Sequence, residues 1–270
     1  MAISKAELKK LRSLKTKKGR TEQKRFWVGG VRVLEEAHKF KFMPVRLFFC
    51  QAHLSERAGR LIELYKVKKI VCSMVTSREL QFLTDTETSQ GVIGVFDTPE
   101  MNLSKLYKPS YRRVLLCDMI SDPGNLGTLV RSALAFEFDL IIATDKSVEL
   151  YSPKVVRSSA GAMFGIPAAR ASGLELIDFK SSTKARVLAA VSNGKNANFE
   201  MAIENEFRKN NAPVILAIGS EADGLSDDVL AMADSKLSVQ HCNKVESLNA
   251  AVAGSVLMQM IYRITKKEFE

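Results

Sequence analysis

The sequence predicts an α/β protein: a mainly parallel sheet with helices on both faces in the carboxyl-terminal part, and a small basic α/β domain ahead of it. Three observations carry this reading. From residue 113 onward, short continuously apolar runs alternate with helix-like segments, the pattern of strands buried on both faces. A similar alternation over 26–96 is set apart by 98–112, where Pro99, Asn102, Ser104, Pro109 and Ser110 gather as in a linker. Charge divides at the same place: residues 1–110 hold 22 Lys and Arg against 11 Asp and Glu, and residues 111–270 hold 18 against 19. The expected domains are 1–98 and 112–270, joined by 99–111.

Each element has a local reason. Ser4-Lys5-Ala6-Glu7 has the form of a capping box and opens a basic helix whose Leu11 and Leu14 face inward. Phe26-Trp27-Val28 reads as a strand, Gly29-Gly30 as a turn, and 31–40 as a helix with Val31, Leu34 and His38 on one stripe. Strands follow at 45–50, 69–72 and 91–96, with helices at 54–65 and 77–83 between them. In the second part, strands are expected at 113–117, 140–143, 166–169, 186–191, 214–218 and 237–239, and helices at 126–136, 153–163, 227–232 and 248–264. The last helix is apolar or small nearly all round (Ala251, Val252, Ala253, Gly254, Val256, Leu257, Met258), so full burial is expected, partly in another subunit.

Composition removes several classes. No apolar run approaches the ~18–20 residues of a membrane span, and residues 1–5 lack the apolar core of a signal peptide. Cys50, Cys72, Cys117 and Cys242 form no Cys-x-x-Cys pair and read as free thiols, as in a cytoplasmic protein. His38, His53 and His241 have no metal-ligand spacing, so no metal is expected. The net charge is +10, and ten of the first 25 residues are basic, among them Lys15, Lys17, Lys18 and Arg20. That asymmetry favours a nucleic-acid-binding module over a basic face that only aids solubility.

Three segments carry chemistry. Pro123-Gly124-Asn125-Leu126-Gly127-Thr128-Leu129-Val130-Arg131 breaks a strand and opens a helix, leaving N–H groups at a terminus that suits an anion. Gly127 and Arg131 are four apart on that helix, so a guanidinium adds to the site; the alternative is an ordinary βα turn. Gly219-Ser220-Glu221-Ala222-Asp223-Gly224 forms a tight loop after the strand ending at Ile218, where α/β proteins bind ligands, or a turn capped by Ser226. Ser247-Leu248-Asn249 begins the last helix, with capping as its simplest role. No Gly-x-Gly-x-x-Gly follows the first strand of either half, which argues against a dinucleotide-binding oxidoreductase.

With Asn125-x-Gly127-x-x-x-Arg131-x-Ala133, Gly219-x-Glu221-x-x-Gly224 and Ser247-Leu248-Asn249 in this order, residues 112–265 resemble the SpoU/TrmH family of RNA ribose 2′-O-methyltransferases, in the SPOUT superfamily. The stretch from Ser152 to Gly161 resembles the family's segment between its first two motifs. The amino-terminal part resembles the ribosomal-protein-like domain that members use to bind RNA. The resemblance implies S-adenosyl-L-methionine held in a deep trefoil knot, contacted by Ile218, Gly219, Val239 and Leu248, with Ser192, Asn193 and Gly194 as a further wall. It implies that Arg131 and Asn125 face ribose and phosphate, that Glu221, Ser247 and Asn249 complete the site, that Arg157 faces RNA, and that knotted domains pair in a homodimer. Ribosomal RNA is the favoured substrate, because shorter tRNA-modifying relatives lack the basic domain. A tRNA 2′-O-methyltransferase and a non-catalytic RNA-binding assembly factor are the alternatives. Arg131 is chemically awkward as a base; fixing a phosphate and stabilising a developing alkoxide suits it better. The chain departs from the family at Val239-Gln240-His241, where many relatives have Ile-Pro-Met, and at Gly29, where relatives often have glutamate.

Overall fold

Most helix starts in the amino-terminal part are set by hydroxyl side chains. The Ser4 hydroxyl accepts the Glu7 N–H at 3.2 Å to open α1 (Lys5–Ser13), and Thr16 accepts the Gly19 N–H at 3.1 Å to open α2 (Lys17–Gln23). The computed structural model of the chain describes residues 3–84, 90–192, 213–242, 244–245 and 247–266. Contacts divide these into two units, Met1–Pro99 with Tyr151–Gly165, and Glu100–Leu150 with Ile166–Glu270.

The first unit continues with β1 (Arg25–Gly29), α3 (Val31–Lys39), β2 (Arg46–Phe49), α4 (Glu56–Val67), β3 (Val71–Met74), α5 (Ser77–Leu83) and β4 (Val92–Asp97). These strands form a four-stranded sheet in the order β1-β4-β2-β3, antiparallel except for the β2–β3 pair. Leu14 is fully buried, as its inward placement on the sequence requires. Arg20 differs from expectation: it is 7 % exposed, and its Nη1 donates to the Leu14 and Lys15 carbonyls at 2.8 and 2.9 Å. It ties the α1–α2 corner and is not a surface cation for RNA. Lys15 is half-buried and donates to the Thr84 carbonyl at 2.9 Å, while Lys17 and Lys18 are exposed.

The division differs from the sequence expectation in two places. Residues 151–165, which include α8 (Pro153–Ser158), pack in the first unit. Tyr151 and Phe164 complete an aromatic cluster there, with the Tyr151 ring 5.2 Å from Phe26 and the Phe164 ring 5.2 Å from Phe96. The expected helix over 153–163 accordingly ends at Ser158, and a short 3-10 turn spans Ala162–Phe164. The expected linker holds α6 (Leu103–Leu106), capped by Asn102, whose Oδ1 accepts the Lys105 N–H at 3.2 Å. Leu103 belongs to the core of the second unit, so this segment is structural packing and not a bare connection.

The second unit runs β5 (Arg113–Cys117), α7 (Pro123–Ala135), β6 (Leu140–Thr144), β7 (Ala168–Ala171), α9 (Gly173–Thr183), β8 (Arg186–Ala190), β9 (Val214–Ile218), α10 (Asp227–Met232), β10 (Ser235–Leu237) and α11 (Ala250–Lys266). Its six-stranded sheet has the order β10-β8-β9-β5-β6-β7, and every pairing is parallel. All residues of β6 and β9 are buried, because helices cover both faces. Helix α7 packs on α11, with Ser132 and Ser255 hydroxyls 2.7 Å apart, and α9 packs on α10. Helix α11 is not buried all round: Ala251, Leu257 and Met258 are, but Val252 and Val256 are 49 % and 38 % exposed. Among the described residues no helix is long and apolar enough to cross a membrane.

Replacing Arg20 with Met removes charged donors from one buried and one half-buried carbonyl, which costs about 2 kcal/mol. Urea unfolding of Arg20→Met is expected to show that loss, and Lys17→Met, at an exposed position, to show none.

Candidate active site

The site lies where the carboxyl ends of β5 and β9 meet. These strands are adjacent and in register, with Cys117 opposite Ile218. The chain leaves β5 toward β6 on one side and leaves β9 toward β10 on the other, which opens a crevice between the two loops.

After β5, Asp122 caps α7, accepting the Asn125 N–H at 2.8 Å, and Pro123 occupies the first helical turn. The helix terminus expected to attract an external anion is therefore already served by a carboxylate of this chain. Gly127 is buried and Arg131 exposed, so the glycine faces the core and not a ligand. Arg131 has no ion-pair or hydrogen-bond partner among the described residues.

After β9, the chain closes into a small ring. Ser220 N–H donates to the Gly224 carbonyl at 2.9 Å, and Gly224 N–H returns a bond to Ser220 at 3.1 Å. Gly224 has φ +71°, a left-handed conformation that favours glycine. At Gly219 a Cβ would lie 2.2 Å from the Gly224 carbonyl carbon and oxygen and 2.4 Å from the Leu225 nitrogen, all backbone atoms. Glu221 sits at the tip of this ring.

The third segment arrives through Asn249. Its Oδ1 accepts the Ala251 and Val252 N–H groups at 3.0 and 3.1 Å, capping α11, and this turns its amide nitrogen outward. That nitrogen donates to Asn125 Oδ1 at 3.0 Å and to Glu221 Oε1. Asn125 Nδ2 also donates to Glu221 Oε1, at 3.2 Å. One carboxylate oxygen thus receives two amide donors from residues far apart in sequence, and all three sequence segments meet at it.

Glu221 also belongs to the wall of a cavity of about 400 Å³. Ile218, Gly219, Val239 and Leu248 line it, with Ser192 and Ser247, as does Ala190 at the end of β8. Ser247 is exposed and makes no hydrogen bond to the described residues, so it joins the cavity and not the amide–carboxylate cluster. Asn193 and Gly194 lie outside the described residues. Arg157 is half-buried on α8, in the first unit. His241 lines the cavity, with Nδ1 3.0 Å from the Cys242 carbonyl, so the departure at Val239-Gln240-His241 does alter this wall. At the end of β5, burial pushes the Cys117 thiol up to about 12, and the neighbouring Asp118 charge adds in the same direction. Among the described residues no group of His, Cys, Asp and Glu is placed to hold a metal.

Comparison with known proteins bears on this geometry. A model of the SpoU rRNA methylase family matches residues 112–259, and a model of the MRM3-like substrate binding domain matches residues 5–94. The chain belongs to the SpoU rRNA methylase family. Among similar family members, the 23S rRNA (guanosine(2553)-2′-O)-methyltransferase RlmP of Bacillus subtilis is 30% identical over 93% of this chain and 94% of its own. The 23S rRNA (uridine(2479)-2′-O)-methyltransferase of Streptomyces viridochromogenes is 29% identical over 88% of this chain and 83% of its own. A crystal structure of an RNA 2′-O ribose methyltransferase superposes with a TM-score of 0.79 at 25% identity, covering 98% of this chain and all 100% of that one. The SpoU methyltransferase AviRb from Streptomyces viridochromogenes, in complex with AdoMet, has the same fold, with a TM-score of 0.81 at 24% identity over 97% of this chain and 99% of that one.

The two loop glycines of this SpoU protein differ in what holds them. Ala at Gly224 meets open space and carries only the left-handed penalty of about 1–2 kcal/mol. Ala at Gly219 collides with backbone that cannot rotate away, so Gly219→Ala is expected to lower the thermal midpoint further than Gly224→Ala.

Proposed function

We propose that the chain is an S-adenosyl-L-methionine-dependent methyltransferase that modifies a ribose 2′-hydroxyl in ribosomal RNA. The observation that carries the reading is the convergence of Asn125, Glu221 and Asn249 on one hydrogen-bonded point in the wall of the 218–219–239–248 cavity. The matched substrate-binding model over 5–94 and the ribosomal RNA activities of the relatives support the choice of substrate.

The cavity fits the cofactor. Its volume of about 400 Å³ lies in the small-molecule range, and its wall combines apolar Ile218, Val239, Leu248 and Leu257 with the backbone of a glycine that admits no Cβ. Ile218, Gly219, Val239 and Leu248 would hold it, with Ser192 beside them. When bound, the cofactor supplies an activated methyl group on a sulfonium centre.

The remaining work belongs to this chain. Exposed Arg131 fixes the RNA phosphate next to the target ribose and stabilises the alkoxide that develops as the hydroxyl loses its proton. Asn125 and Asn249 fix the orientation of Glu221 by bonding one of its oxygens, which leaves the other free to receive the hydroxyl. Lys17, Lys18 and half-buried Arg157 remain the basic side chains offered to the RNA backbone. A trefoil knot in the carboxyl-terminal part, a homodimer across the exposed Val252–Val256 stripe and a cytoplasmic site of action belong to the same reading.

The test is methylation of ribosomal RNA with methyl-labelled cofactor, followed by mapping of the labelled position. Label at a ribose 2′-oxygen is expected. No labelled RNA, together with no cofactor retained in equilibrium dialysis, would transfer the argument to a non-catalytic RNA-binding protein, the reading that the polar His241 wall favours. Arg131→Ala is expected to reduce turnover to background while calorimetry finds cofactor binding within about twofold of wild type, since Arg131 is not in the cavity wall. Loss of cofactor binding in that variant would refute the role assigned to Arg131.

A further inference from the structure

Asp118 follows β5 directly and does not line the cavity. Its N–H extends the ladder by one residue, donating to the Ile218 carbonyl at 2.9 Å. The residue is 1 % exposed, so both carboxyl oxygens must find donors inside the protein. Oδ1 accepts the Thr144 hydroxyl at 2.9 Å, from the end of β6. Oδ2 accepts the Ser226 N–H at 2.7 Å, from the far end of the loop that carries Glu221. Ser226 caps α10 without a side-chain hydrogen bond, so this backbone contact anchors that end of the loop.

The connection on the other side is pinned as firmly. Thr144 Oγ1 accepts the Met119 N–H at 3.2 Å, and Ser147 Oγ accepts the Ile120 N–H at 3.1 Å while donating to the Cys117 carbonyl at 2.9 Å. Residues 118–120 are thus held to the sheet, and they lead into the Asp122 cap and Asn125. Among the described residues, the Ser220–Gly224 ring meets the sheet at Ile218, and its far end is held by buried Leu225 and by the Ser226 N–H. Of these anchors the Ser226 bond is the one made to Asp118, and releasing it would loosen the ring and move Glu221 relative to Asn125.

We propose that Asp118 is the positioning residue that sets the separation of Asn125 and Glu221, acting through the Ser226 N–H. This inference rests on the reading of the cluster as the methyl-transfer site. A buried acid with no ion-pair partner among the described residues is a costly way to stabilise a fold; one that joins two loops of the site with a single side chain has a purpose that an apolar residue could not serve.

Two substitutions cut the link from opposite sides. Asp118→Ala removes the acceptor. Ser226→Pro removes the donor at φ −64°, a value that proline itself adopts. Leu176→Ala, which empties a buried core position on α9, is the control for lost stability alone. In the full-length protein, side-chain amide NMR signals of Asn125 and Asn249 report the cluster directly, alongside turnover at saturating RNA and the thermal midpoint. Both link variants are expected to shift those signals and to lower kcat by about 10- to 100-fold, whereas Leu176→Ala lowers the midpoint and leaves signals and kcat in place. If either folded link variant loses stability yet keeps wild-type amide signals and kcat, the proposal is overturned. Should Asp118→Ala fail to fold, Ser226→Pro decides it by the same criterion. If the wild type transfers no methyl group but the link variants still shift the amide signals, the positioning role stands and the methyl-transfer reading fails.

Discussion

Strand β5 has β9 on one side and β6 on the other, all parallel, and the outgoing chains of β5 and β9 part in opposite directions. Parallel strands deliver their carboxyl ends to the same edge, and a reversal of direction between neighbours leaves room there for a ligand. Asn125 and Glu221 are 96 residues apart, yet each stands just beyond the end of one of these two strands. Their contact is a consequence of strand order. Helix α11 then needs only to begin at the same edge for Asn249 to close the cluster. Its own capping bonds decide which way that amide faces.

Strands were legible where the sequence bounds them chemically. Those at 113–117 and 214–218 coincide with β5 and β9, since Arg113 and Pro213 mark their starts and the runs between are apolar throughout. The expected strands at 166–169 and 237–239 lie two residues from β7 and β10. Both are edge strands of the sheet, and their limits follow from pairing with β6 and β8, which no local pattern reveals. Helix α9 is missing from the expectation because its apolar residues do not form one stripe: Leu176 and Phe179 are buried, but Leu174 is 77 % exposed. The Ser172–Glu175 capping box was the available signal. In the site, the three motif segments were readable from residue type and spacing. The Asp122 cap is missing from the expectation, although an acid before Pro123 was the available signal. Asp118 is missing too, because an acid at the end of an apolar run looks like a surface residue until the neighbouring strands supply its donors.

A charge count overstates the cations free to meet RNA. The excess of basic residues in the first 110 positions marks a polyanion-binding part, but the count treats all cations alike. Arg20 is consumed in holding two carbonyls and Lys15 in holding a third. Lys18 is exposed but lies 3.9 Å from Glu22, and such a pair is weak enough in water to be exchanged for a phosphate. An aromatic cluster has the opposite property. Nothing in the local pattern of 151–165 announces that Tyr151 and Phe164 belong with Phe26 and Phe96, yet their burial assigns the segment to the first unit.

The helix start at Pro123 shows how a general electrostatic rule is redirected by one residue. An exposed helix amino terminus attracts anions through free N–H groups and the aligned peptide dipoles. Here Asp122 accepts the Asn125 N–H, and Glu221 adds a second negative charge at the Asn125 side chain. An incoming phosphate would be repelled at this end of α7. In the proposed reaction the attraction comes from a full positive charge placed further along the helix, at Arg131, which is exposed and without a partner among the described residues. Separating the two has a chemical use in the proposed reaction. With the phosphate held at Arg131 and the acid held at the helix start, the ribose between them presents its hydroxyl to Glu221 without bringing phosphate and carboxylate into contact.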